Sequence, residues 1–99
     1  MKESIRYKLE NLKDRFDELE ALLSDAEIIA DQNRFRELSK EYSELEDVVR
    51  SFNHFMNVSD NLIEAKEMQK DADSEIRAMA EEEIANNTDE LAELESDLQ

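Results

Sequence analysis

Ninety-nine residues carry 28 Asp/Glu against 12 Lys/Arg, a formal net charge of −16, with no glycine, proline or cysteine. Average usage would supply about seven Gly and five Pro. Their absence argues against hairpin-rich β folds and excludes glycine-based phosphate loops, the lack of Cys excludes disulfides and thiolate zinc sites, and the acidic excess disfavours free nucleic acid and anionic membranes as partners.

Near the start, Ile5, Leu9, Leu12, Phe16, Leu19 and Leu23 recur at alternating steps of four and three. That spacing draws one apolar seam along a helix and predicts helix over about 3–23. Arg6 and Glu10, and Lys13 and Asp17, stand one turn apart on its outer faces. The seam stops at Ser24-Asp25. Either residue suits the N-cap of a short turn over 26–30, and Asp31 suits the cap of a longer helix. Ile28 and Ile29 in this corner read first as a plug for the end of the core.

The second stripe is long. Phe35, Leu38, Tyr42, Leu45, Val49, Phe52 and Met56 repeat at steps of three and four, and Val48, Phe55 and Leu62 broaden it. The pattern runs on through Ile63 and predicts one helix over about 31–70. Asn57-Val58-Ser59-Asp60 is its weakest stretch, because Asn, Ser and Asp compete for backbone hydrogen bonds. With no Gly or Pro to force a break, the helix is expected to continue through it. Asp71-Ala72-Asp73-Ser74 is the next stop, with Asp73 as N-cap. The last stripe, Ile76, Ala80, Ile84, Asn87, Leu91, Leu94 and Leu98, predicts helix over about 73–98. It meets the chain end in mid-pattern, as expected of a piece of a longer protein rather than a natural terminus.

The fold class expected is all-α: an elongated three-helix antiparallel bundle or coiled coil with a long central helix, forming one helical domain over 1–99. Short connections make neighbouring helices antiparallel. The first helix should cover the first half of the long one and the last helix its second half, with free ends meeting near Val48–Phe55. The methionines at 56, 68 and 79 and the aromatics from Tyr7 to Phe55 read as helix–helix packing.

Catalytic chemistry is missing. Asp71-x-Asp73-x-Glu75 opens like a calcium loop, but Ile76 stands where the sharp turn needs Gly. Glu81-Glu82-Glu83 is a solvated run without the differing environments that acid–base work requires. His54, the sole histidine, has no second His or Cys to complete a metal site and no cleft around it. No catalytic residue, metal or cofactor is expected. The charge is uneven: residues 1–50 balance at −5, with nine basic and fourteen acidic residues, and 51–99 at −11, with three and fourteen. No leader or membrane-spanning run is visible, so a cytoplasmic protein working by contact is expected.

The segment ADQNRFRELSKEYSEL, Ala30–Leu45, resembles bacterial class I peptide chain release factors. The opening MKxSIxxKLExLxxRxxELxALLSD, the corner EIIAD and DxEIRxMAxEEI over Asp73–Ile84 match in order and separation. The likeness is to the factor type that reads UAA and UAG. Ser74 departs from the Pro that many members carry there. The resemblance implies the N-terminal domain alone, since the family reads codons with Pro-x-Thr and places water with Gly-Gly-Gln, and neither motif fits a chain without Pro or Gly. It implies a non-catalytic arm that contacts a protein of the large ribosomal subunit's stalk base and influences the class II release factor GTPase. An acidic surface suits basic ribosomal proteins. No short motif carries the contact. The corner, with Asp25, Ile28, Ile29 and Arg34, is the candidate partner surface, although an end-plug remains the stronger reading of the two Ile. The competing reading is a stand-alone acidic coiled-coil protein, including a homo-oligomer that buries the open seam.

Overall fold

A computed structural model describes residues 1–98, and the described residues form four helices and no strand. These are α1 (Glu3–Leu23), α2 (Ala26–Ala30), α3 (Gln32–Met68) and α4 (Ser74–Leu98). α3 passes through Asn57–Asp60 without interruption. Its 37 residues give a rod of about 55 Å at 1.5 Å per residue.

The chain turns without glycine by using aspartate caps. Asp25 accepts from the Glu27 amide at 2.9 Å, Asp31 from the Arg34 amide at 3.2 Å, and Asp73 from the Glu75 amide at 2.9 Å. Each cap satisfies an amide that the helix geometry leaves orphaned. α3 stops two residues before the predicted end, because its last turn tightens. The Lys70 amide bonds the Glu67 carbonyl and the Asp71 amide that of Met68, both at 3.1 Å. Arg77 Nη1 then donates to the carbonyls of Asp71 and Ala72, at 2.8 Å each. No described residue takes a positive φ.

The chain divides into two compact units, Met1–Arg50 and from Ser51 onward. In the first, α1 lies on the opening part of α3. Phe16 and Tyr42 stack with centroids 4.4 Å apart and planes at 18°. Two turns outward from that pair, the antiparallel register sets Leu9 level with Val49, and both are buried. Leu19 is fully buried and Ile28 closes the corner end.

In the second unit, His54 Nε2 and Glu90 Oε1 meet at 2.8 Å between α3 and α4. About three turns along, Ala65 of α3 and Ala80 of α4 expose no surface. The buried row of α3 in this unit is Phe52, Phe55, Val58 and Ala65. It drifts away from the predicted continuation through Ile63, which is 60% exposed. Val58, within the polar stretch, is core. Tyr7, Met68 and Met79, expected to pack, are exposed as well. Each residue adds about 100° around a helix, so Met79 leaves the face that buries Ala80 and Tyr7 lies far from the Ile5–Leu9 seam.

Candidate functional site

The corner is built from the end of α1, all of α2 and the start of α3. The Ser24 and Asp25 amides bond the carbonyls of Ala21 and Leu22 at 3.2 and 3.1 Å, and the Ser24 hydroxyl returns to the Glu20 carbonyl at 3.2 Å. The Ile29 amide donates to the Asp25 carbonyl at 3.0 Å and the Asp31 amide to that of Ile28 at 3.1 Å. α2 is therefore a single rigid turn held at both ends, and its two isoleucines take opposite roles. Ile28 is 6% exposed and plugs the core, while Ile29 is 52% exposed.

The four candidate contact residues separate on this geometry. Asp25 and Arg34 are exposed, Asp25 as the cap of α2, with the Arg34 amide held by the cap of α3. Ile28 is buried in the core. Ile29 instead joins Gln32, Phe35, Arg36 and Ser39 along a shallow open groove. The sequence reading did not assign Phe35 to this surface. Its place at the start of the α3 stripe suggested core, but it sits in the first turn, where less of α1 remains to cover it.

Behind the corner, a charged clamp ties α1 to α3. Arg15 Nε and Nη2 donate to the two Glu41 carboxylate oxygens at 2.8 and 2.7 Å, and Nη1 donates to Glu18 at 2.9 Å. This fork-to-fork pair flanks the Phe16–Tyr42 stack. The hydrogen bonds from Arg15 hold the Glu41 carboxyl below its ordinary value and raise the guanidinium in turn. Sequence spacing does not reveal this pair, since Arg15 and Glu41 stand 26 residues apart on different helices.

His54 has a carboxylate partner that helical spacing alone did not reveal, since Glu90 lies 36 residues away on α4. Both side chains are about half exposed, so the pair is a surface clip between helices. Among the described residues, no group of three or more His, Cys, Asp or Glu is placed to hold a metal ion. No helix among them is long and apolar enough to cross a membrane.

The geometry is therefore one of helix faces, a capped corner and shallow grooves, suited to contact with a macromolecule. No solved structure matches the chain. The family model described as the PCRF domain matches residues 12–99, from the middle of α1 to the last residue. The chain belongs to the PCRF domain family of peptide chain release factors, whose role is in translation termination.

Proposed function

We propose that residues 1–99 form the N-terminal, non-catalytic domain of a cytoplasmic class I release factor of the UAA/UAG-reading type. The observation that carries this is the family match over 12–99, which spans almost all of the chain. In this reading the domain is an arm that docks the factor on the stalk base of the large subunit, through a ribosomal protein there, and influences the class II GTPase. Absence of the Gly-Gly-Gln loop from these residues agrees with an arm that performs no hydrolysis itself.

The docking contact in this proposal is the corner, with Ile29 and Arg34 touching the partner and Asp25 and Ile28 holding α2 in place. Ile29 supplies an apolar anchor on a turn fixed by hydrogen bonds at both ends. A preordered anchor loses little entropy on binding. The test is site-specific photocrosslinking from position 29 in the ribosome-bound factor. A crosslink to a stalk-base protein of the large subunit is expected. Crosslinks confined to the small subunit, or to ribosomal RNA, overturn the contact. Codon choice is tested with the factor carrying this domain: release at UAA and UAG without UGA is expected, and efficient release at UGA contradicts it.

A further inference from the structure

The second unit carries a groove with an unusual lining. Glu64 and Met68 of α3 face Met79, Glu82, Glu83 and Asn86 of α4 across it. Met79 is 63% exposed, and Met68 is also open to solvent. Single exposed apolar side chains are ordinary, but apolar side chains that adjoin one another mark contact sites, and Met68 and Met79 line the same groove. Methionine in particular adapts its unbranched, polarisable side chain to partners of differing shape.

The rim fixes the sign of the partner. No Lys or Arg lines the groove. Glu64, Glu82 and Glu83 make no hydrogen bond or ion pair among the described residues, whereas Glu67, Glu90, Glu41 and Glu46 are all paired. The unit around the groove holds three basic residues against fourteen acidic ones. Of those three, Arg77 is committed to the backbone carbonyls of Asp71 and Ala72, Lys70 is paired with Glu67, and Lys66 lies on α3 outside the residues that line the groove. An apolar floor between unpaired carboxylates complements a helix with an apolar stripe flanked by cations.

We infer that this groove docks a Lys/Arg-rich amphipathic helix of a partner protein, with apolar side chains seated on Met68 and Met79 and cations on Glu64, Glu82 and Glu83. The occupant is basic because every charged side chain lining the groove is a carboxylate, and amphipathic because Met68 and Met79 make its floor apolar. This surface is separate from the corner, and the inference does not rest on the docking role proposed for Ile29 and Arg34.

The experiment uses the 99-residue chain with methionine methyl groups labelled for NMR. The probe is a synthetic Leu/Lys helical peptide of about fifteen residues, four turns long. Saturable shifts at Met68 and Met79, with Met1 and Met56 unmoved, are expected. Met79→Ser should weaken binding about ten-fold, the loss of one buried apolar side chain. Met79→Leu should restore it. Glu82→Gln with Glu83→Gln should weaken binding to a similar degree and flatten its salt dependence. Met79 and both carboxylates are exposed, so these variants should keep the parent helicity and melting temperature. Three results overturn the inference: oligolysine binding as tightly as the amphipathic peptide, unchanged affinity in Met79→Ser, or Met68 and Met79 shifts that follow protein concentration without peptide. The last would identify a second copy of the chain as the occupant. The titration contains no ribosome, so its failure leaves the release-factor reading standing.

Discussion

Arg15 and Glu41 form the best-oriented charge pair joining two helices, and their geometry leads to a pH prediction. The Glu41 carboxyl titrates lower in the folded chain than in the unfolded one, because Arg15 hydrogen-bonds the ionised form. A carboxyl with a depressed folded value adds stability above its unfolded value, about 4.3, and that share is lost as pH falls through the folded value. Glu41→Gln should therefore lower the melting temperature near neutral pH, and the gap to the parent chain should close on acidification below about pH 4. Thermal denaturation followed by circular dichroism checks this, and a gap that widens in acid contradicts it. Asn87 makes the opposite case. Its side-chain Nδ2 is buried without a hydrogen-bond partner among the described residues. An unpaired buried amide costs roughly 1–3 kcal/mol. Asn87→Leu should stabilise the chain by about 1 kcal/mol, read from urea unfolding. The apolar spacing of the α4 stripe placed Asn87 on the core face. Only the packed helices showed that its amide nitrogen finds no partner there.

At the scale of elements, helix positions follow from local chemistry. The 3–4 spacing of apolar residues and the aspartates at 25, 31 and 73 place α1, α3 and α4 within two residues of the predicted limits. Caps act through neighbouring amides, so they are legible in a linear string. Asp31→Ala should cost about 1 kcal/mol of stability, the usual loss for an aspartate N-cap. Which face each helix buries is less legible. A stripe of seven apolar residues on α3 is broad enough to contain more than one row, and the partner helix selects among them. Near Ala65 and Ala80 the choice falls on small residues, both of which are fully buried. Ala65→Leu should consequently destabilise by about 1–3 kcal/mol through overpacking. Ile63→Leu, on an exposed position of the same helix, should change stability by less than about 0.5 kcal/mol. Equal effects at the two positions would contradict this assignment of the buried row.

At the scale of the whole molecule, the change in charge balance coincides with the division into two compact units. Met1–Arg50 balances at −5 and the remainder at −11. The PCRF domain is the non-catalytic part of release factors, so the 99-residue chain added to stop-codon-programmed ribosomes should release no peptide above background. Measurable release would contradict the non-catalytic reading. The sequence by itself determined an all-helical chain, its capped turns and its lack of glycine-dependent chemistry, because periodicity, caps and composition act over a few residues. It also carried the likeness to release factors, which the family match supports. Tertiary structure alone decided that Ile28 is core while Ile29 is surface, that Arg15 finds Glu41 and His54 finds Glu90, and that Met68 and Met79 border an acidic groove. Those outcomes depend on the register between helices, and register is set by side chains many residues apart meeting in space.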